Sequence, residues 1–300
     1  MNLIEIQNDV FRILIDTDQG TSISAFFVKK ENVWLPIMPD SRNEDIDLKF
    51  ASFLMIPYSN RIENGFFTFR EKEYLLTNGD NHAIHGDVRF RPWQIEKMKE
   101  TQIACRFNSK DHENVNWPWA FEAAVEYILS DNLFTSRLTL WNRADSSMPA
   151  GMGWHPYFSR RLSMENEPVR ICMKTESVYP DENDNRIPSG PPLPLSDAQD
   201  FSKEKRLEPE AYLDACFYGY DGKGHILWPE SGIRLTFDCS PECSHLILFN
   251  PPKPYFAVEP VTNANNGVNL YAQGEPTSGI AVLEPGESLS AEFSMHFDFI

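Results

Sequence analysis

Apolar and polar residues alternate at the two-residue period of a half-buried strand in several stretches of the chain. Ile233, Leu235 and Phe237 oppose Arg234, Thr236 and Asp238, while Leu289, Ala291, Phe293, Met295 and Phe297 oppose Ser290, Glu292, Ser294 and His296. Phe134, Leu138 and Leu140 share a face across from Thr135, Arg137 and Thr139. Parallel sheets are covered on both faces, so a second face this polar predicts antiparallel pairing. Turns are marked by Asn64-Gly65, Asn78-Gly79 and Asp221-Gly222, because glycine readily takes the positive φ of a tight turn. The first of these separates the run ending at Ile62 from Phe66-Phe67-Thr68-Phe69, which predicts a hairpin across it.

The 22 prolines discourage long helices, and no amphipathic helix of more than about three turns is expected. Residues 181–206 contain Pro188, Ser189, Gly190, Pro191, Pro192 and Pro194, a composition that predicts an extended surface excursion and not a strand pair. The strand pattern resumes after it unchanged, and no repeat of fixed period is present. The fold class expected is all-β: residues 1–300 as one domain, a large antiparallel β-sandwich.

Composition narrows the function. With 300 residues, of which 41% are hydrophobic and 13% aromatic, the chain can bury a substantial core. Its 27 Lys and Arg against 44 Asp and Glu give a net charge of −17, which repels phosphate backbones and anionic membranes at long range. Nucleic acid is therefore not an expected partner. No run of about 18 apolar residues occurs, and residues 1–11 lack the basic and apolar segments of a leader, so an unexported protein with no membrane association is predicted. Cys105, Cys172, Cys216, Cys239 and Cys243 form an odd set without paired spacing, which fits a reducing compartment and makes the cytoplasm the expected location. Cys239, Cys243 and His245 have the chemistry of metal ligands, yet their apolar alternation predicts buried strand residues, and no metal is assigned to them.

There is no Gly-x-Ser-x-Gly elbow, no His-Glu-x-x-His and no phosphate-binding loop. Gly151-Met152-Gly153 lacks the third glycine of a dinucleotide fingerprint and runs into Trp154-His155-Pro156-Tyr157-Phe158, which reads as strand or loop. What remains is a set of histidines and carboxylates in apolar surroundings: His85 before Gly86, His155 within its aromatic run, Glu259 after Tyr255-Phe256-Ala257-Val258, and Asp214 in Leu213-Asp214-Ala215-Cys216-Phe217. Taken singly, each histidine fits a packing role as well as a catalytic one. Burial would raise the Glu259 carboxyl toward the range of a useful base, and a surface carboxylate at a strand end fits the spacing equally. His82 stands three residues before His85, which on extended chain puts the two on opposite faces, so only His85 joins the candidate set.

Five segments in order resemble the aldose 1-epimerase (galactose mutarotase) family: Asn60-Arg61-Ile62 with Gly65 and Phe67; Ile84-His85-Gly86; Gly153-Trp154-His155-Pro156-Tyr157-Phe158; Leu213-Asp214 with Phe217; and Val258-Glu259-Pro260. Leu283-Glu284-Pro285-Gly286-Glu287 is similar to the family's last-strand entry, and the likeness spans roughly residues 53–297. The departures are Asp87, where galactose mutarotases tend to carry a second glycine, and Pro260-Val261-Thr262-Asn263 after the glutamate; they place the sequence nearer a bacterial subgroup of less defined specificity.

The resemblance implies a galactose-mutarotase-like supersandwich with a carbohydrate cleft on a sheet. It implies interconversion of the anomers of a free aldose without a cofactor, with Glu259 as base, His155 as acid to the ring oxygen and His85 supporting the developing charge. Arg61, Asp214 and the neighbouring Asn60 would bind sugar hydroxyls. Of Trp154, Tyr157 and Phe158, at least two are expected in the core, leaving at most one as a platform for a sugar face. Two other readings stay open: a non-catalytic sugar-binding protein on the same fold, and a hexose-6-phosphate 1-epimerase, for which Arg89 and Arg91 supply cations close after His85. Oligomeric state is left open.

Overall fold

The structure is a computed structural model that describes residues 3–77, 82–163 and 167–300. Two large sheets face each other, one of eleven strands and one of nine, and every ladder between their described strands is antiparallel. The expected all-β, antiparallel sandwich is what the chain forms. Its only described α-helix is the short Gly267–Ala272.

The nine-stranded sheet contains the segments whose alternation was plain in the sequence. Leu133–Asn142, Ser288–Phe299 and Ile233–Cys239 lie side by side in it. Their inward residues are buried and their outward residues meet water, where cross-strand charges pair: Arg137 lies opposite Glu292 and its Nε is 2.7 Å from the carboxylate. Such exposed pairs contribute at most about 1 kcal/mol, so the inward face carries the stability.

The eleven-stranded sheet behaves differently at its centre, where Ser52–Met55, Gly153–Ser159, Tyr255–Val261, His245–Asn250 and Leu213–Tyr218 run in that spatial order. Tyr255–Val261 is buried at all seven positions. Alternation vanishes because both faces are covered. One face, with Trp154, Phe158, Phe256, Val258, Leu246 and Leu248, joins the core between the sheets. The other carries a separate apolar cluster that includes Phe53, Met55, Cys216, Ile247 and Val261.

Aromatic rings join the two sheets. Phe26, on strand Ser22–Lys30 of the first, meets Phe134 of the second edge-on at 5.3 Å and Phe297 at 5.9 Å. Phe26 is fully buried, so Phe26→Ala is expected to cost about 3–5 kcal/mol through lost burial and the cavity left behind. A urea-unfolding midpoint measures this; a loss below about 1 kcal/mol would mean the sheets repack freely.

Two sequence expectations need correction. Asn64 and Gly65 do adopt positive φ (51° and 67°), yet the flanking strands do not pair with each other. Arg61–Ile62 pairs with Ala83–Ile84, and Phe66–Phe69 pairs with Lys72–Leu75. The true hairpin turns at Arg70-Glu71, both left-handed (φ 48° and 62°) without a glycine, which is why composition did not reveal it. Residues 181–206 are largely irregular as expected but do reach both sheet edges: Leu193–Pro194 pairs with Ser177–Val178, and Lys205–Arg206 with Arg170–Met173. An edge position tolerates Pro194, which has no N–H to give a ladder. Asp221-Gly222 is a turn, with Gly222 at φ 83°, and it carries the chain from one sheet to the other. Asn78-Gly79 lies outside the described residues.

Candidate active site

Strand register lays out the site. Phe53 pairs with His155, Glu259 with Ile247, and Ile247 with Cys216. Pairing of Gly153 with Val261 and of Tyr157 with Ala257 brackets His155 and Glu259 and sets them opposite each other. Pro156 and Pro260, which lack an N–H, lie inside that bracket. Alternation sends Phe53, His155, Glu259, Ile247 and Cys216 to the outer face as one row, with Asp214 two residues before Cys216 on the same face. Trp154 and Phe158 consequently point into the core, and Tyr157 alone of the three aromatics shares the His155 face, its ring 4.6 Å from the imidazole.

A short strand pair and the chain that follows it bring the other residues over this row. Arg61 pairs with Ile84, so the guanidinium and His85 arrive together. The backbone of His85 is left-handed (φ 62°) and held on both sides: its N–H donates to Asn60 O at 2.8 Å, and Asp87 N–H donates to Ile56 O at 2.9 Å. Gly86 is also left-handed (φ 65°), and a Cβ there would stand 1.8 Å from Ile56 O, so only glycine fits. Asp87 has φ −125°, which requires no glycine, and its carboxylate pairs with Arg91 Nε at 2.5 Å. Asn263, after the glutamate, accepts from Ser59 Oγ at 2.8 Å, and Asn266 N–H donates to Arg61 O at 2.7 Å. Asp87 and Asn263 thus both fasten loops.

His155 Nε2 lies 3.2 Å from Glu259 Oε1, and both side chains are almost wholly buried. Phe53 stacks on His155 at 4.5 Å and meets His85 edge-on at 5.4 Å, while the two imidazoles stand 5.1 Å apart at 87°. Burial pushes the Glu259 carboxyl well above the ordinary carboxylate range; the Asp214 charge adds to this and Arg61 opposes it. Burial also pushes His155 down to about 3, with Arg89 next in effect. His85 falls well below its usual value through burial, then His155 and Arg89. Both members of the close pair are driven toward neutrality, so between them they hold one proton. Moving that proton across 3.2 Å interconverts a neutral pair and an ion pair. Glu259 Oε2, His155 Nδ1 and His85 Nδ1 are buried with no hydrogen-bond partner in the protein, a state that costs about 1–3 kcal/mol per group unless a polar molecule meets it.

Of the six candidates, His85, His155, Glu259, Arg61 and Asp214 are gathered around this row. Asn60 is placed differently: its left-handed residue shapes the loop, and its amide nitrogen donates to Ser59 Oγ and Asn263 O. Sequence reasoning missed Arg186. From the proline-rich excursion its Nε donates to Asp214 Oδ2 at 2.8 Å, while its other nitrogens reach Asp181, Asp184 and Tyr212. It pins the Asp214 carboxylate at the cleft. Arg186→Ala is expected to raise KM for sugar about 10-fold with kcat nearly unchanged, the worth of one charge-assisted hydrogen bond; saturation curves decide, and an unchanged KM would show Asp214 to be positioned without it.

Among the described residues no group of three or more His, Cys, Asp or Glu side chains is arranged to hold a metal ion. Cys239 and His245 are strand residues, and both they and Cys243 are buried; His245 donates to or accepts from Ser244 Oγ and reaches Thr277 O at 2.8 Å. No described helix is long and apolar enough to cross a membrane.

The antiparallel sandwich is the fold that the family resemblance implied; the double covering of its central strands and the contact between His155 and Glu259 come from the structure. The chain matches the aldose 1-epimerase family over residues 2–296, and it belongs to that family. It is 22% identical over 297 residues, 95% of each chain, to YphB, an uncharacterized protein of Escherichia coli (strain K12). Its fold is similar to that of a galactose mutarotase-like protein from Clostridium acetobutylicum, with a TM-score of 0.85 and 20% identity over 99% of this chain and 95% of that one. It is also similar to galactose 1-epimerase from Lactobacillus acidophilus, with a TM-score of 0.77 and 15% identity over 99% and 94%.

Proposed function

We propose that the protein is an isomerase that interconverts the α and β anomers of an aldose. The observation that carries this reading is the buried pair of His155 and Glu259, 3.2 Å apart, with burial driving both toward their neutral forms. Anomerisation needs a base at the C1 hydroxyl and an acid at the ring oxygen. As an ion pair, Glu259 takes the hydroxyl proton and the C1–O5 bond breaks. Its electrons go to O5, which takes the proton from His155. An open-chain aldehyde forms, C1 turns about the C1–C2 bond, and the reverse transfers close the ring on the other face. The pair ends as it began, one proton in all. Each transfer contributes about 10²- to 10⁴-fold.

His85, edge-on to His155, supports charge developing at the ring oxygen, and Arg61 and Asp214 bind sugar hydroxyls. Tyr157, the one aromatic of its run on this face, supplies an apolar contact for the ring. We also take residues 1–300 as one domain, since a single apolar core is shared by both sheets. We place the protein in the cytoplasm, where its five free cysteines stay reduced.

Exchange between anomers, followed by NMR for a panel of aldoses against the spontaneous rate in the same buffer, tests the proposal. Acceleration for at least one sugar supports it. Binding without acceleration for any sugar would favour the non-catalytic reading.

A further inference from the structure

The hemiacetal sets how a sugar must lie in this cleft, an argument that rests on the acid/base reading above. C1 carries the hydroxyl that meets Glu259, and the ring oxygen meets His155. C5, which carries the exocyclic C6, is bonded to the ring oxygen on the side away from C1. Because Phe53, His155 and Glu259 follow one another across three adjacent strands, the direction from Glu259 to His155 continues onto Phe53. The C6 group is therefore directed at Phe53, and C2 and C3 at Asp214.

What stands at the Phe53 end is cationic. The Arg89 guanidinium lies 5.3 Å from the Phe53 ring centroid and 4.7 Å from that of Phe90. Lys49 Nζ lies 4.3 Å from the Phe90 centroid and 5.5 Å from that of Phe50. Among the described residues neither cation has a carboxylate within ion-pairing distance, although acidic residues outnumber basic ones 44 to 27 in the chain. The nearest acid in sequence, Asp87, is taken by Arg91, which also donates to the carbonyls of Glu113 and Asn114. Arg91 thus fastens a loop, and Arg89 is left facing the cleft on aromatic faces. Burial penalises that unpaired charge, and a guanidinium offers a planar fork suited to two oxygens of one anion.

We propose that Arg89, with Lys49 behind it, binds an anionic group on C6, so that the substrate class is a C6-anionic aldose, either a hexose 6-phosphate or a hexuronate. The two share the chemistry read here, anionic oxygens carried beyond the ring oxygen. The net charge of −17 repels such sugars at long range, and the local pair of cations overcomes this within a few ångströms, where screening by salt is weak.

The test compares glucose, glucose 6-phosphate and glucuronate, and the galactose set likewise, by anomer-exchange NMR and by titration calorimetry. Wild type, Arg89→Gln, Arg89→Lys and Lys49→Gln are measured as full chains. Wild type is expected to favour one anionic sugar over its neutral parent by about 10-fold or more in kcat/KM, and the phosphate and uronate arms show which. Arg89→Gln is expected to bring that ratio close to one, with Arg89→Lys retaining part of it. A neutral parent used as well as both anionic forms, or a ratio unchanged in Arg89→Gln, overturns the inference. If no sugar exchanges faster than in buffer, the acid/base reading fails and the calorimetric ratio still decides: tighter anion binding lost in Arg89→Gln sustains the anion site, and equal binding removes it. Should Arg89→Gln fail to fold, the wild-type ratio and its fall in Lys49→Gln carry the same decision.

Discussion

Glu259→Gln is expected to lower kcat for anomer exchange by about 10²- to 10⁴-fold while sugar affinity changes little. The amide keeps the shape of the carboxyl and its place opposite His155, so what it removes is the capacity to take a proton from the C1 hydroxyl. Because burial already drives Glu259 toward its neutral form, a neutral replacement relieves a cost of desolvation and should leave the fold as stable or slightly more so. Anomer-exchange NMR beside a thermal melt separates the two effects. A variant that unfolds would be uninformative about chemistry, whereas a folded variant with near wild-type kcat would remove Glu259 from the reaction.

His155→Asn is expected to cost a comparable factor, and the double variant little more than either single one, since the two side chains work as one proton-holding unit. The same unit predicts an uncommon pH profile. Activity requires one proton on the pair. A second proton is added only when His155 titrates, near a pKa of about 3; the last is lost only as pH rises through the elevated pKa of Glu259. The enzymatic rate, after subtraction of the spontaneous one, should therefore hold steady between pH 7 and pH 5 and fall on the alkaline side, with that alkaline limb absent in Glu259→Gln. A fall centred near pH 6.5, the value of an ordinary histidine, would show that His155 titrates alone and that the shared-proton description is wrong.

The candidate site was more legible in the sequence than the sheet that carries it. Alternation was visible in Ile233–Cys239 and Ser288–Phe299 because one face of that sheet is wet. Tyr255–Val261 and Gly153–Ser159 show no such period, since a second apolar cluster covers the outer face, so their role as the floor of the cleft could not be read from pattern. His85, His155, Glu259, Arg61 and Asp214 were singled out through ordered motifs, and the fold gathers them around one row, while Asn60, singled out the same way, has its amide nitrogen hydrogen-bonded within the loop. Arg186 left no trace: it sits in an irregular proline-rich stretch 28 residues from Asp214 in sequence, and only the path of the chain brings the two together. Phe53 was hidden for a similar reason, because its contact with both imidazoles depends on a strand register that no local signal reports.

The proposed base and acid, Glu259 and His155, sit on central strands, whereas Arg61 comes from a two-residue strand outside the large sheets, Arg89 from a 3-10 turn, and His85 and Arg186 from irregular chain. A shift of one residue in either central strand would exchange His155 for Trp154 or bury Glu259 in the core, so those strands tolerate no change of length. The loops are under no such discipline. His155 and Glu259 are thus carried by a different part of the fold from Arg89 and Arg186, and an engineer could graft the segment around either arginine from a relative to alter the preference for a sugar while that pair stays in place.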